Sequence, residues 1–324
     1  MMWVTPEGAR PAEELDLSEL PMGAVHRRYI KLAEDGIGLS LRVPVLIARG
    51  SKSGPVVGIV AALHGNELNG IPLIHRLFRG LQVDKIKGTI VAVIVANVPG
   101  LLLHQRVFND GEDLNRVFPG RIDGNCSQIY AYNLFHRIVN RFEYLIDLHT
   151  ASFGRVNSLY IRSNMDDNRM QQMAEMLQPQ IILNSPAPIQ TLRGQAIQLG
   201  IPSITLEMCN PSRIQKDVVR SSLLGVKNLL RSLKVLPGVV KKSNQETVVC
   251  THSKWLYTDR GGFLETIPPV TTIVREGEIV GRLRNIFGDV IQEYRAPHQG
   301  IIIGRSVNPI AQTGARIVHL GTMI

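Results

Sequence analysis

Residues 55–67 read PVVGIVAALHGNE. The first nine are almost wholly apolar and rich in Val and Ile, a run too short for a typical helix and without the alternation of a half-solvated strand. Such a run is a strand covered on both faces. It breaks off into His64-Gly65-Asn66-Glu67, and Leu68 to Phe78 then takes helical spacing through Ile71, Ile74, Leu77 and Phe78, with Pro72 early enough for a first turn. The same grammar recurs downstream. Thr89–Val98 and Tyr144–Leu148 are further buried strands, the latter ending at His149, and Pro202–Leu206 is another that delivers Glu207. Helices are expected at Ser127–Asn140 with Ser127 near the N-cap, Asp167–Leu177, Thr191–Leu199 and Ile214–Leu233. This βαβ alternation predicts an α/β fold with a mostly parallel central sheet flanked by helices. In such sheets ligands bind beyond the carboxyl ends of the strands. His64, His149 and Glu207 each stand at such an end.

Ahead of this core, Ala24–Ala33 and Ile37–Ala48 read as two strands joined at Glu34-Asp35-Gly36. Leu101–Ile122, with scattered Gly, Asp, Asn and Pro, reads as a long irregular loop of the kind that often carries function. Beyond Lys234–Asn244 the texture changes to short alternating runs punctuated by glycine, and Val274–Arg284 and Ile310–Gly321 both carry a strand, a Gly turn and another strand. The expectation is two domains: 1–240, catalytic, and 241–324, a smaller all-β C-terminal domain of barrel or sandwich type.

Composition narrows the classes. The chain has 324 residues, 44% hydrophobic and 19% charged, a globular balance with ample material for a core. The net charge of +9 is spread in proportion to length, 10 Lys+Arg against 7 Asp+Glu from residue 241 onward. Without a basic run, and with only 5% aromatics, a nucleic-acid partner is not expected. A basic surface does favour an anionic substrate. Three widely spaced cysteines, Cys126, Cys209 and Cys250, argue against a disulfide framework. Met1–Leu20 is acidic with no apolar signal region, and no segment suits a membrane span, so the expected location is the cytoplasm.

Four motifs carry chemistry. His64 and Glu67, three apart at a strand-to-helix junction, can converge on one ion if they share a helix face, with Gly65 allowing a sharp turn between them. His149 closes Asp147-Leu148-His149, and two histidines with one carboxylate are a common catalytic zinc set. Asp113-Leu114-Asn115-Arg116, followed by Phe118-Pro119-Gly120, offers an Asn-Arg pair able to grip a carboxylate, with Arg106 upstream in the same loop. Glu207 in Thr205-Leu206-Glu207-Met208 ends an apolar strand, where a carboxylate needs a partner or a task. Each motif alone also fits a solvated loop, a satisfied histidine or a structural ion pair.

Together and in this order, H-G-N-E, D-L-N-R-x-F-P-G, D-L-H-T and T-L-E resemble the succinylglutamate desuccinylase/aspartoacylase branch of the zinc carboxypeptidase superfamily. The resemblance implies one Zn²⁺ per chain held by His64, Glu67 and His149, a catalytic base in Glu207 and carbonyl polarisation by Arg106. It further implies carboxylate binding by Asn115 and Arg116, with Asp113 orienting the first histidine. Two features depart from the pattern: the Arg106 to Asn115 spacing is longer, and Cys209 stands where a small residue such as Gly is expected. Cys209 is either a soft metal ligand or a buried thiol. The C-terminal domain resembles biotinyl/lipoyl-type barrels around Ala296-Pro297-His298-Gln299-Gly300, yet no Lys follows Lys254, which speaks against a swinging arm. Tyr257 and Tyr294 are its candidates for reaching a substrate. The implied activity is a zinc-dependent deacylase acting on a small anionic N-acylated substrate. A peptide-cleaving zinc carboxypeptidase and a non-catalytic binding protein are the alternatives, and a homo-oligomer is left open.

Overall fold

The computed structural model describes residues 9–241 and 246–324. The tip of the predicted linker and the first eight residues of the acidic N-terminal stretch lie outside the described residues.

The centre of the molecule is the strand read first. Lys52–Ala61 lies between Lys87–Val93 and Tyr144–His149, parallel to both, and Ser203–Met208 continues the parallel ladder beyond Tyr144–His149. Neighbouring residues of these strands go to opposite faces. Ile59, Ile146 and Ile204 pack under the helices Gly70–Arg79, Asn168–Leu177 and Lys216–Ser232, while Val60 and Leu145 pack against Cys126–Arg137 and Leu192–Gln198 on the other side. Burial on both faces explains the continuous apolar runs.

The sheet as a whole is mixed, which corrects the expectation of a mostly parallel one. Ser40–Arg49 joins antiparallel to Lys87–Val93, and Leu159–Ser163 joins antiparallel to Ser203–Met208. Leu159–Ser163, Ile181–Asn184 and Val248–Tyr257 then run parallel to one another, and the last strands, Arg316–Met323 and Gly300–Ser306, are antiparallel again. Apolar periodicity reports burial, not direction; Ser40–Arg49 was expected as a strand without its direction, while Leu159–Ser163 and Ile181–Asn184, five and four residues long, were too short to be read as strands. Residues 248–323 are all strand and turn, as expected. Their longer strands extend the central sheet, while Gly262–Thr266, Ile279–Arg284, Val290–Arg295 and Ile310–Ala311 form a second, four-stranded sheet.

Three local details differ from the sequence reading. Helix Cys126–Arg137 is capped by Asn125, whose side chain accepts from Gln128 N–H while Gln128 Oε1 accepts from Asn125 N–H; Ser127 lies inside the first turn. The strand expected to run to Val98 stops at Val93. Asn97 then caps a short helix, Val98–Leu102, which begins at the last residue of the expected strand and runs into the expected loop. Leu114–Arg116 makes a further 3-10 turn there.

Candidate metal centre and substrate cavity

His64 and Glu67 lie in a tight turn between the strand and helix Gly70–Arg79, not on the helix itself, and Glu67 N–H donates to His64 O at 3.0 Å. Gly65 is required for a different reason than a left-handed turn. A Cβ there would lie 1.9 Å from Gly100 C and 2.2 Å from Leu101 N, so the backbone of helix Val98–Leu102 presses directly on it. That contact seats the turn. His149 arrives from the neighbouring parallel strand, and Asp147, two residues earlier on the same strand face, reaches its ring.

The three side chains meet in the interior. His64 Nδ1 is 2.9 Å from Glu67 Oε1, His149 Nδ1 is 2.9 Å from Glu67 Oε2, and the two Nδ1 atoms are 3.1 Å apart. Each ring is tethered by its other nitrogen, His64 Nε2 to Asp113 Oδ1 at 3.0 Å and His149 Nε2 to Asp147 Oδ2 at 2.9 Å. With Nε2–H donated to a carboxylate, each Nδ1 turns a lone pair toward the other ring and toward Glu67. Three such donors, all within 4.8 Å of one another and all buried, call for a cation among them. The charge balance agrees. Burial alone would weaken His149 as a base, but Asp147 and Glu67 outweigh it and raise its pKa well above the ordinary range. Burial would likewise raise the Glu67 carboxyl, yet the facing imidazoles hold it well below the usual carboxylate range. Asp113 is held down in the same way, against burial, by His64 and Arg106. The residues present fit a divalent metal.

Arg106 bridges the acids of this cluster. Its Nη1 donates to Glu67 Oε1 at 3.0 Å and to Ser152 Oγ, and its Nε and Nη2 donate to Asp113 Oδ2 at 3.1 and 2.9 Å. Glu207 faces the same cavity. It stands opposite His149 in the parallel register, which puts both side chains on one side of the sheet, and it accepts from Asn157 Nδ2 and Arg162 Nε at 3.3 Å each. Asn115 spends its Oδ1 on Leu192 N–H at 2.9 Å, helping to cap helix Leu192–Gln198, and its Nδ2 has no partner among the described residues. Arg116 is exposed at the cavity's edge, tied among the described residues only through Nη1 to Asn115 O. The eight residues His64, Glu67, Arg106, Asp113, Asn115, Arg116, His149 and Glu207 therefore line one cavity of about 470 Å³.

The sequence reading missed much of that lining. Asp147, which holds His149 from outside that lining, was quoted but given no task. Arg155, Tyr160, Arg162, Arg193, Trp255 and Arg316 were not singled out, although all face the cavity. The available signal was the one that marked Glu207: in Leu-Tyr-Ile-Arg-Ser, residues 159–163, a charge interrupts an apolar strand. Arg162 is accordingly held between Glu207 and the Tyr160 hydroxyl, 2.6 Å from its Nη2. Arg193 is 3% exposed with, among the described residues, only the carbonyls of Arg162 and Ser185 as acceptors; burial first, then Arg162, press its guanidinium down to about 10, still charged at neutral pH. Of the C-terminal aromatics, Trp255 lines the cavity; Tyr257 and Tyr294 do not, and Tyr294 donates instead to Asp259 at 2.7 Å. Cys209 lies outside the donor set and the cavity lining, and burial pushes its thiol up to about 12. Its φ of 60° accounts for the expectation of glycine at this place.

Comparison with known proteins agrees with this geometry. The model of the succinylglutamate desuccinylase/aspartoacylase catalytic domain matches residues 53–233, more than half of the chain. An N-alpha-acetyl-L-2,4-diaminobutyric acid deacetylase from Halomonas elongata is 20% identical over 337 residues, covering 98% of each protein. The fold matches the crystal structure of a succinylglutamate desuccinylase/aspartoacylase from Rhodobacter sphaeroides with a TM-score of 0.85 at 20% identity, over 97% of this chain and 100% of that one. It matches the product-bound ectoine utilization protein EutE (DoeB) from Ruegeria pomeroyi with a TM-score of 0.84 at 18% identity, over 94% and 98%. Among the described residues no helix is long and apolar enough to cross a membrane. The extent of the family match, over the part of the chain that carries most of the cavity, makes this chain a member of the succinylglutamate desuccinylase/aspartoacylase family.

Proposed function

We propose that this protein is a zinc-dependent deacylase that hydrolyses the amide bond of an N-acyl amino acid or a similar small carboxylate-bearing substrate. The observation that carries the reading is the buried donor set of His64, Glu67 and His149 beside Glu207, in one cavity lined by arginines. These three residues would hold the ion, which when bound supplies Lewis acidity to a water molecule and to the scissile carbonyl.

The chain's own residues would do the rest. Glu207, held by two long hydrogen bonds from Asn157 and Arg162, takes a proton from the attacking water and delivers it to the departing amine as the C–N bond breaks. Asn115 Nδ2 and the Arg116 fork hold the substrate carboxylate and so fix the amide near the donor set. Arg106, already in contact with Glu67, offers positive charge to the oxygen that becomes anionic. Asp113 and Asp147 keep each imidazole turned with Nδ1 inward. A division at 240/241 belongs to the same reading, with the C-terminal strands contributing Trp255 and Arg316 to the cavity.

Metal analysis of wild type and His149→Ala, with both assayed on a panel of N-acyl amino acids and short peptides, tests the proposal. About one zinc per chain, lost with His149, and metal-dependent release of amino acid are expected. Cleavage confined to peptides would favour the carboxypeptidase alternative. A folded protein that binds no metal after reconstitution would leave a non-catalytic role.

A further inference from the structure

Glu207, the proposed base, is held by two donors, and one of them depends on the far end of the chain. Arg162, whose Nε donates to Glu207 Oε1, belongs to Leu159–Ser163, which pairs directly with the strand of Glu207. Asn157, whose Nδ2 donates to Glu207 Oε2 at 3.3 Å, does not. It ends the three-residue strand Arg155–Asn157, which among the described residues pairs only with Gly300–Ser306. Asn157 stands opposite Gly304 there, with Arg305 opposite Val156 and Ser306 opposite Arg155. Bonds beyond both ends of this ladder extend the grip. Val307 N–H donates to Gly154 O at 2.8 Å, and Ser158 donates to Ile303 O through N–H at 2.8 Å and through Oγ at 3.0 Å. Residues 154–158 are thus zipped to residues 303–307.

Gly304 is what lets the Asn157 side chain lie where it does. A Cβ on Gly304 would come within 2.5 Å of Asn157 Oδ1 and 3.5 Å of its Cγ, so the carboxamide lies across the bare Cα of its neighbour. The remaining near atom, Val156 O at 3.1 Å, is a milder contact. Gly304 is not among the residues of positive φ, so close approach and not backbone conformation calls for glycine here. On the other side of Gly304 the ladder to Arg316–Met323 is irregular, passing from Ile302 opposite Leu320 to Gly304 opposite His319. A bulge of this kind re-aims the residues beside it. Gly304 itself lies outside the cavity lining, so a change there reaches the cavity only through its neighbours.

A carboxylate held by one oxygen still swings about its side-chain torsions, whereas a donor on each oxygen fixes its plane. We propose that Asn157, seated on Gly304, is a positioning residue that orients Glu207 for proton transfer. The C-terminal strands then take part in the reaction through this seat, beyond walling the cavity. This deepens the deacylase reading and rests on it.

The test is a double-mutant cycle on the zinc-loaded protein, using the N-acyl amino acid that wild type cleaves fastest, with thermal melting as the check on folding. Asn157→Ala removes the donor; Gly304→Ala pushes the carboxamide off its seat. Each is expected to lower kcat by about 10–100-fold, with KM within about twofold of wild type. The double variant should be no slower than Asn157→Ala, because the added methyl group then meets no carboxamide. Fully additive losses, or folded single variants with wild-type kcat, would overturn the proposal. Should Gly304→Ala not fold, Asn157→Leu, which keeps the bulk without the donor, takes its place: a loss like that of Asn157→Ala sustains the role and full kcat rejects it. If no N-acyl amino acid is cleaved, the deacylase reading fails, and nitrogen-15 NMR of the same proteins decides the seating without turnover. The Asn157 side-chain amide signal, identified by its loss in Asn157→Ala, should move in Glu207→Ala and in Gly304→Ala. A signal that either substitution leaves in place rejects the seat.

Discussion

Gly65→Ala is the sharpest test of how the metal centre is seated. The added Cβ would lie 1.9 Å from Gly100 C, 2.2 Å from Leu101 N and 2.3 Å from Gly100 O, all backbone atoms that cannot rotate away. Ordinary contact begins near 3.4 Å, so either the His64–Glu67 turn or helix Val98–Leu102 must shift by about 1.5 Å. Overpacking of this kind costs about 1–3 kcal/mol. With an unfolding entropy of roughly 2 cal/mol/K per residue, that is a fall in Tm of about 1.5–4 °C for a chain of this length. The loss at the metal centre should be larger in proportion. The donor atoms of His64, Glu67 and His149 sit 2.9–3.1 Å apart, and displacing one of them by half that distance removes it from the set. Zinc affinity, measured by competition with a chelator, should fall by at least about tenfold. Gly36→Ala is the control: it lies in the hairpin turn with nothing within 4 Å of the new methyl group, and should change neither quantity. A Gly65→Ala protein with wild-type melting and full zinc affinity would refute the claim that close packing, rather than turn geometry, demands glycine at this position.

Other outcomes follow from the same geometry. Glu207→Gln should lower kcat by about 10²–10⁴-fold while zinc content stays at one per chain; turnover within a few-fold of wild type would remove Glu207 as the base. Asp147→Asn weakens the tether that turns His149 inward, and zinc affinity should fall by about 10–100-fold, read by chelator competition, with the fold intact by circular dichroism. His319 is pressed down to about 3 by burial and the nearby arginines, whereas in the unfolded chain it titrates near 6.5. The unfolded state therefore gains a proton that the native state refuses, and stability declines as pH falls from about 6.5 toward 3. Denaturant midpoints for His319→Gln should decline less steeply than wild type across that window, and parallel curves would show that this imidazole is not the cause.

Much of the site was legible without coordinates because its residues interrupt patterns. His64, His149 and Glu207 each end a run of apolar residues, and a polar group at the end of a buried strand must emerge at the sheet's rim. Asp113, Asn115 and Arg116 were found through their motif, and Arg106 through its place in the same loop. Chain order and burial, which are one-dimensional properties, thus determined the α/β class, the half of the cavity that holds His64, Glu67, His149 and Glu207, and the all-strand character of residues 248–323.

Tertiary structure decided the rest. Strand direction depends on which neighbour a segment finds, so apolar periodicity could not reveal that Leu159–Ser163 joins antiparallel and makes the sheet mixed. The need for Gly65 comes from Gly100, thirty-five residues away, and the tether from Asp113 to His64 spans forty-nine. Arg155, Trp255 and Arg316 span 161 residues of the chain and become one charged wall only when the final strands pair and bring the three together. Local sequence fixes what each segment prefers; contacts between distant segments fix which side chains meet, and the cavity's outer half is made entirely of such meetings.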